Sequence, residues 1–528
     1  MTLLCLLLVP FIGGLLCWQL QRSSAGYARY VALGTMLLIL ALTIGLWLGG
    51  DYSQTLLPSG GSLSGHWVQQ LSVPWIPRLG IRFSLGLDGL SLLLVTLTAL
   101  LGVLAVGCSW REIQTDAGFF YMNLLWNLAG VIGVFLATDL FLFFLSWEVM
   151  LVPMFFLIAL WGHDIPGGRP RLYAALKFFI FTQSAGLVML VAILALVFVH
   201  YRASGVLTFG YSDLLATPLG SVTGFWIMLG FFVGFAAKLP VVPLHSWLPD
   251  AHSQAPTAGS VILAGVLLKT AAFGLLRYVV PLFPAASAQF APIAMWLGVL
   301  GIVYGAVCAF GQNDTKRLVA YTSISHMGFI VLGVFAGTEE ALQGVIMQIL
   351  AHGISAAGLF ILCGELYERL DTRDMRKMGG LWARFSNLPQ FGLFFILASL
   401  GLPGLGNFLG EFLILLGTFK AHPGMAMLGT VGLVLSAVYS LILMQRTFYG
   451  KASADAPGGD APGAGAPLLD LDRREFAILS TLAAVMIWLG LYPRPFFEVS
   501  RAPTQALQNL YAPAATAARS TSNVRVAP

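Results

Sequence analysis

Four formally charged side chains lie deep inside apolar segments of this sequence, where water cannot solvate them. They are Glu148 in FLFFLSWEVMLVPMFFL, Lys238 shortly before Pro240, Lys269 in SVILAGVLLKTAAFGLL and Glu411 in GLGNFLGEF. A charge at the centre of a bilayer costs about 2.5–3.5 kcal/mol on insertion scales. Carboxylates and amines at such positions are therefore candidates for binding and releasing protons.

The two lysines have the chemistry of proton-loading sites. Burial destabilises the charged ammonium and a nearby carboxylate stabilises it, so moving the carboxylate would make a lysine take up or release a proton. Glu148 is the candidate partner that would modulate Lys238 in this way. The alternative is that Glu148 and Lys238 form a static ion pair that fixes the register of two helices. That alternative leaves Lys269 and Glu411 without an explanation.

Two histidines extend this series. His326 lies in LVAYTSISHMGFIVLG and His352 in IMQILAHGISAAGLF, and the same apolar segments contain Ser323, Ser325 and Ser355. Imidazole titrates near neutral pH and passes protons between its two nitrogens. A proton relay is the favoured interpretation. The alternatives are two hydrogen-bonded core histidines or a pair of haem ligands.

Further titratable groups belong to the proline-rich stretch KLPVVPLHSWLPDAH. His245 and His252 flank Pro249, and Asp250 is next to that proline. These three side chains are interpreted either as groups at a proton entrance, where a broken helix ends, or as helix caps.

The composition requires a membrane around these charges. Of the 528 residues, 58% are hydrophobic and only 10% are charged, whereas a soluble protein has about 25% charged residues. Lipid offers no partner to an open sheet edge, so the spans must be helices. The sequence predicts an all-α integral membrane protein of about 14 transmembrane helices. The predicted spans are 1–20, 30–50, 84–107, 117–137, 139–161, 173–199, 223–250, 257–280, 291–311, 316–336, 339–369, 386–420, 424–449 and 475–492.

The first apolar run is expected to stay in the protein as a helix. A secretory signal peptide has its positive charge before the apolar run. Here no Lys or Arg precedes residues 1–20, and the first basic residue, Arg22, follows them.

Leu-Pro interrupts two of the predicted spans, five helices apart. The first contains Pro240, Pro243 and Pro249; the second, ASLGLPGLGNFLGEF, contains Pro403 and four glycines. Proline leaves a backbone carbonyl without its helical partner, so polar groups gather around it. Broken helices at matching positions indicate two inverted-topology repeats of five helices, as in transporters. The alternative is a pair of simple proline kinks.

The basic residues orient the predicted bundle. Numbered from the N-terminus, the odd loops hold most of the Lys and Arg residues, and the even loops hold few. The positive-inside rule places the odd loops in the cytoplasm and both termini on the periplasmic side of a bacterial inner membrane. The even loops contain only Arg78, Arg82, Arg202, Arg277 and Lys420.

Three stretches are predicted to lie outside the membrane. They are an outer loop at 51–82, a flexible Gly/Ala/Pro-rich linker at 451–470 and a disordered polar tail at 512–528. The predicted organisation is 1–107 for the first three helices with their outer loop, 108–280 for the first five-helix repeat, 281–449 for the second, 450–474 for the cytoplasmic linker, and 475–528 for the last helix and tail.

The cysteines and the net charge argue against other kinds of site. No two cysteines form a CxxC pair, and all five lie within or beside apolar segments, which is typical of core packing rather than of an iron–sulfur or zinc site. The net charge of +5 reflects basic residues in short loops, so no nucleic-acid partner is expected. The cysteines are Cys5, Cys17, Cys108, Cys308 and Cys363.

Two long motifs resemble the antiporter-like membrane subunits of respiratory complex I and their relatives. KLPVVPLHSWLPDAHSQAPTAGSVILAGVLLKTAAFGLLR is similar to the signature of that family, and DLFLFFLSWEVMLVPMFFLI at 139–158 is similar to its acidic helix. The resemblance extends over about residues 84–449. Most paralogues carry lysine where this chain has Glu411, and one carries glutamate. That paralogue is favoured, and the short stretch after the last span also distinguishes the chain from the paralogue that has a long lateral helix.

The resemblance implies a role for each residue. Glu148 and Lys238 correspond to the paired residues of the first half-channel, Lys269 to the central lysine and Glu411 to the terminal site of the second half. His326 and His352 match positions on the polar axis between them. Glu112, in SWREI, is similar to an acidic residue that supports coupling; the alternative is a surface pair with Arg111.

The function implied is proton translocation across the membrane, driven by NADH oxidation and quinone reduction in partner subunits. This chain would contain no redox centre and no metal; FMN, iron–sulfur clusters and quinone would be bound by partners. The expected partners are the neighbouring antiporter-like subunits and the lipid bilayer. A subunit of a multisubunit cation/proton antiporter, the membrane arm of a hydrogenase and a haem-bearing membrane anchor remain alternatives.

Overall fold

The computed structural model describes most of the chain. The described residues are 1–22, 25–53, 57–59, 62–64, 67–164, 170–450 and 469–523, without the side chains of Ala25, 57–59, 62–64 and 512–523. Most of the linker that was predicted at 451–470 therefore lies outside the described residues.

The described part of the chain is a bundle of membrane-crossing helices. Thirteen helices are long and apolar enough to cross a bilayer, and a shorter apolar helix at Leu388–Leu400 starts a fourteenth, broken crossing. The prediction of about 14 spans is therefore confirmed. The N-terminal helices are α1 (Thr2–Leu20), α2 (Ala25–Gly49) and α3 (Gly89–Glu112).

The next five crossings form the first repeat. Their spans are α4, α5 with α6, α7, the broken α9–α10 and the nearly continuous α11–α13, in which π-helical turns occupy Leu263–Leu267 and Leu275–Val279. The helices are α4 (Ala117–Leu136), α5 (Leu140–Val149), α6 (Leu151–Trp161), α7 (Arg171–Ser204), α8 (Tyr211–Leu215), α9 (Ser221–Lys238), α10 (Trp247–Gln254), α11 (Thr257–Ile262), α12 (Leu268–Gly274) and α13 (Val280–Leu282).

The second repeat also has five crossings, of which α18–α19 is the broken one. Since five is an odd number, the two sets of five crossings begin on opposite faces of the bundle, as inverted-topology repeats require, and the division into repeats stays a prediction. The helices are α14 (Pro284–Phe310), α15 (Thr315–Ala336), α16 (Glu339–Leu370), α17 (Leu381–Arg384), α18 (Leu388–Leu400), α19 (Gly406–Ala421) and α20 (Pro423–Thr447), followed by α21 (Arg473–Leu491) and α22 (Arg494–Asn523).

The region predicted as an outer loop at 51–82 contains strands. Strands β1 (Leu57–Ser59) and β2 (Ser62–Ser64) pair antiparallel, and so do β3 (Gln69–Ile76) and β4 (Ile81–Leu87). The turn of the second hairpin ends at Gly80, whose φ of +67° suits glycine and whose position faces the Leu207 carbonyl too closely for any Cβ. The face of the bundle at this hairpin is called the hairpin face, and the opposite face the linker face.

The two helix breaks differ slightly from the prediction. The first lies between Lys238 and Trp247, and Pro249 is inside the first turn of α10, where its missing N–H removes no helical bond. The second lies between Leu400 and Gly406, around Pro403. Both breaks were predicted, but Pro249 does not contribute to the first.

The most buried crossings are those of the candidate relay. The spans Thr257–Leu282 and Glu339–Leu370 are completely buried over their most apolar stretch, and Thr315–Ala336 is 94% buried there. The peripheral helices α1, α2 and α20 instead leave much of their apolar surface exposed, as lipid-facing helices do. Lys269, His326 and His352 therefore lie on the three innermost helices.

The C-terminal region is more helical than expected. Helix α21 begins with a capping box between Asp472 and Glu475. Helix α22 then runs to Asn523 and packs on α3, α14 and α16, whereas a disordered tail was predicted from residue 512.

Candidate proton-transfer site

Lys269 and His352 form the innermost contact of the site. Lys269 follows the π-helical turn Leu263–Leu267, and such a widened turn leaves a carbonyl accessible to a side chain. The ammonium donates to the Ala264 carbonyl and lies 2.6 Å from His352 Nδ1. Both side chains are fully buried. At this distance a proton can pass directly from the amine to the ring.

His326 connects that contact to Glu411. Its ring centroid is 5.2 Å from that of His352, and its Nδ1 is 2.6 Å from Glu411 Oε1. Its Nε2 lies 3.2 Å from Ser399 Oγ. Gln348 donates to the same Glu411 oxygen at 3.0 Å and so fixes the carboxylate. The structure thus brings together Lys269, His326, His352 and Glu411. The first and the last of them are 142 positions apart in the sequence.

The second helix break positions Glu411. Helix α18 ends at Gly401, whose φ of +88° turns the chain, and α19 begins five residues later. Glu411 then points inward from the second turn of α19. On this helix Gly410 leaves the space that Gln348 fills, because a Cβ there would be 2.6 Å from Gln348 Oε1.

Lys238 and Glu148 form a separate site in the first repeat. Lys238 is the last residue of α9 before the first break, and its ammonium lies 3.9 Å from the centroid of the Trp147 ring. Among the described residues, neither Lys238 Nζ nor Glu148 Oε1 has a hydrogen-bond partner. The two side chains therefore interact through charge without a hydrogen bond to the ammonium, which rests on an aromatic face.

The side chains after the first break do not cap helices. Asp250 forms ion pairs with Lys177 at 2.7 Å and Arg317 at 3.0 Å, which tie α10 to α7 and α15. His252 is buried and its ring stacks on Phe360 at 4.3 Å. His245 packs edge-on against Tyr304 at 4.9 Å. The helix-cap interpretation is wrong for these residues, because α10 has no side-chain cap.

Glu112 belongs to a polar cluster at the linker face. Its carboxylate accepts from the Thr257 N–H at 3.0 and 3.2 Å and lies 3.6 Å from His163 Nε2. Arg373 lies 3.1 Å from His163 Nδ1. These side chains line a cavity of about 290 Å³ together with Glu368. The surface-pair alternative for Glu112 is wrong, since its side chain is only 8% exposed and Arg111 pairs with Asp472 instead.

His163 is held neutral in this cluster. Burial, together with the positive charges of Lys316, Arg373 and Arg171, lowers the pKa of His163 from 6.5 to about 3. Since Arg373 donates to Nδ1, the ring proton is on Nε2 and faces Glu112.

Sequence reasoning missed several side chains that shape the site. Lys316 was counted as a loop residue, but it is buried and donates to the Ala255 carbonyl at 2.5 Å. Arg277, also assigned to a loop, forms a buried ion pair with Asp88 at 2.5 Å. Gln348 had a usable signal, because it precedes His352 by four residues and so shares its helix face.

The haem alternative does not fit the histidines. His352 Nδ1 contacts Lys269, and both nitrogens of His326 have partners in Glu411 and Ser399. Axial ligation needs a free nitrogen on each ring. With the two ring centroids only 5.2 Å apart, no haem can be inserted between them.

Comparison with known proteins identifies the family. Residues 137–436 match the family model described as "NADH:quinone oxidoreductase/Mrp antiporter, TM", which is more than half of the chain. The chain belongs to this family. Two relatives named "NADH-quinone oxidoreductase subunit M" are 58% identical over 95% of this chain and 96% of the Pseudomonas aeruginosa protein, and 56% identical over 97% of this chain and 99% of the Escherichia coli K12 protein.

A solved structure supports the same family assignment at the level of the fold. A chain of "Respiratory complex I from Thermus thermophilus with bound NADH" superposes with a TM-score of 0.83 at 32% identity, covering 97% of this chain and 100% of that chain. The match covers nearly the whole chain, so the prediction of the antiporter-like fold is confirmed.

Proposed function

We propose that this chain is the proton-translocating subunit M of an NADH–quinone oxidoreductase. One observation supports it above all: two buried hydrogen-bonded pairs, Lys269–His352 and His326–Glu411, lie end to end, with the two imidazole ring centroids 5.2 Å apart. Stability of the fold alone does not account for such a line inside a membrane, because burying each of its polar groups costs free energy. The names of the curated relatives agree with the proposal.

The transported proton passes along these groups in order. Lys269 releases it to His352, whose ring faces the ring of His326. His326 passes it to Glu411, beside the helix break of the second repeat. Glu411 releases it on the hairpin face, which the excess of basic residues on the opposite loops assigns to the periplasm.

The first repeat supplies the control of this movement. Lys238 has no hydrogen bond, so its protonation depends on how near the Glu148 carboxylate approaches. A neighbouring membrane subunit displaces Glu148, Lys238 loads or releases a proton, and the changed charge is felt at Lys269. The cavity beside Glu112 is the proton entrance at the linker face, with Asp250, His245 and His252 deeper on the same side.

The redox chemistry takes place in partner subunits. FMN, the iron–sulfur clusters and quinone belong to them, and the neighbouring antiporter-like subunits and lipid surround this chain in the bacterial inner membrane. The rival function is a multisubunit cation/proton antiporter or a hydrogenase membrane arm. The extent of identity to subunit M over nearly the whole chain favours the NADH–quinone oxidoreductase.

The first test is a mild detergent purification through a tag on this chain. Recovery of flavin- and iron–sulfur-bearing subunits with NADH–quinone activity supports the proposal. Recovery of small membrane subunits alone supports the antiporter.

The second test addresses the residues. Lys238→Ala and Glu411→Ala should each abolish NADH-driven acidification in proteoliposomes while the complex still assembles. Normal pumping by both variants contradicts the proposed roles.

A further inference from the structure

A polar cavity opens at the hairpin face above the first repeat. Its volume is about 490 Å³, and its walls include Gln70 and Arg82 of the β3–β4 hairpin, Asp139, Tyr211 and Asp213. This cavity is called the outer vestibule. A vestibule with charged and hydroxyl-bearing walls admits water and protons from its side of the membrane.

A continuous line of aromatic rings leads from the outer vestibule to Lys238. The ring of Tyr211 is 5.7 Å from that of Tyr278, which is 4.5 Å from Phe143. Phe143 is 5.8 Å from Trp147, and the Lys238 ammonium rests on Trp147. Each of these side chains is at most 1% exposed. Ring contacts therefore occupy the whole distance between the vestibule and the ammonium.

The inner part of this line contains no hydrogen-bonding group that is placed to carry a proton. Phe143 has no polar atom, and the Tyr278 hydroxyl is turned away to donate to the Ala137 carbonyl at 3.0 Å. The ring of Phe235 closes the side of the line, 6.1 Å from Phe143 and 5.5 Å from Trp147. Protons move along hydrogen-bonded chains, and a dry apolar constriction interrupts such a chain.

A buried ion pair lies at the vestibule side of the rings. The Arg277 guanidinium lies 5.0 Å from the Trp67 ring and pairs with buried Asp88. Its position on the π-helical turn Leu275–Val279 places it one residue before Tyr278.

We propose that Phe143, Tyr278 and Trp147 form an aromatic seal that closes the Lys238 site to the outer vestibule. The inference rests on the proposed function, in which Lys238 binds a transported proton. A pump must open a binding site to only one side at a time. Without the seal, protons would return from the outer vestibule to Lys238 and dissipate the gradient.

The seal and the control residue share one short helix. Phe143, Trp147 and Glu148 all lie on α5. A displacement of α5 that moves the Glu148 carboxylate therefore also moves two rings of the seal. Phe143 and Trp147 are positioning residues for the Lys238 site, since neither exchanges a proton.

The test compares two substitutions of nearly equal shape in the assembled complex. Phe143→Leu keeps an apolar side chain in the seal, whereas Phe143→Asn places an amide there. Proteoliposomes without NADH are given a potassium diffusion potential with valinomycin, and the passive proton influx is followed with an internal pH dye. We expect at least about a fivefold faster influx with Asn than with Leu, because the amide lets water enter the constriction.

Controls separate the seal from assembly and from the proposed function. Phe141→Asn, on the same helix but packed on Trp75 and Phe209 at the hairpin face, should remain as tight as the unmodified complex. If the Phe143→Asn variant fails to assemble, Gly274→Ala is tested in its place. The Cβ of the new alanine would displace the Phe235 ring, so the proton influx should rise.

Each result decides the inference. Equal influx in the Asn and Leu variants, or no increase with Gly274→Ala where that variant is used, overturns the seal. The influx assay needs no turnover, so it tests the seal separately from the proposed function. If the Phe143→Asn variant leaks while a Lys238→Ala enzyme pumps normally, the proposed role of Lys238 is refuted and the seal is still supported.

Discussion

The two repeats of this membrane protein hold their buried charges in opposite ways. In the second repeat Glu411 Oε1 accepts one hydrogen bond from Gln348 and lies 2.6 Å from His326 Nδ1. In the first repeat the Lys238 ammonium lies over the face of Trp147 and interacts with Glu148 through charge alone, because among the described residues neither Lys238 Nζ nor Glu148 Oε1 has a hydrogen-bond partner. One site is connected and the other is isolated.

The difference assigns different tasks to similar folds. A hydrogen-bonded line passes a proton with little rearrangement, whereas an isolated ammonium responds strongly to any charge that approaches it. In the proposed function, the line from Lys269 to Glu411 crosses from the first repeat into the second and conducts the proton, whereas the Lys238 site of the first repeat is the responsive switch.

The largest effect is expected where the connected line is cut. Lys269→Met keeps the length of the side chain but removes the proton donor to His352, so NADH-driven proton pumping should fall at least about tenfold. The measurement is the initial rate of acidification in proteoliposomes. Lys420→Met is the matched control, because Lys420 is 54% exposed and pairs with Glu340 at the surface. Equal rates in the two variants would refute the conducting role.

An intermediate effect is expected at the isolated site. A Cβ on Gly186 would lie 2.7 Å from Glu148 Oε1, so Gly186→Ala must displace the carboxylate. Pumping should fall about three- to tenfold without loss of assembly, since the control of Lys238 depends on that position. Gly224→Ala on α9 is the control, with its nearest contact at 3.4 Å. If the Gly186→Ala enzyme pumps protons at the unmodified rate, the position of the Glu148 carboxylate does not control Lys238.

A smaller effect is expected from loosening the connected line. Gln348→Ala removes the hydrogen bond to Glu411 but no proton-exchanging group, so pumping should fall about two- to fivefold. Gln343→Ala on the same helix, where the amide bonds Glu339, should change nothing. A complete block by Gln348→Ala would mean that the amide takes part in the transfer itself.

The smallest effect concerns the linker-face cluster, which lies outside both sites. The native pKa of His163, about 3, is below its unfolded value near 6.5. The neutral ring therefore stabilises the native state fully above pH 6.5, and this stabilisation is lost as the pH falls towards 3. Nitrogen-15 NMR of labelled histidine should show a neutral His163 ring at both pH 8 and pH 5. A titration with a midpoint near 6.5 would contradict this environment.

Much of this architecture could be predicted from sequence, because the membrane requires long apolar helices and makes every charge within them costly. Hydropathy located the spans, and the free-energy cost of buried charge singled out Glu148, Lys238, Lys269 and Glu411. The β3–β4 hairpin escaped prediction because a short exposed ribbon has no such constraint.

The contacts within the site required the structure. Lys316 and Arg277 lie near the ends of spans, where a basic residue is ordinarily a loop residue, and only tertiary packing shows that both are buried. Likewise the absence of a hydrogen bond between Glu148 and Lys238 depends on the distance between two helices, which no local pattern encodes.

Proton translocation through this chain is tested by the number of protons moved per NADH oxidised. The ratio is measured in proteoliposomes of the purified complex carrying Glu411→Gln, with Glu340→Gln, at a partly exposed position that pairs with Lys420, as control. A lower ratio, or pumping and NADH oxidation lost together, is the result expected if Glu411 ends the route of the proton. An unchanged ratio at unchanged turnover would contradict proton translocation through this chain by the route described.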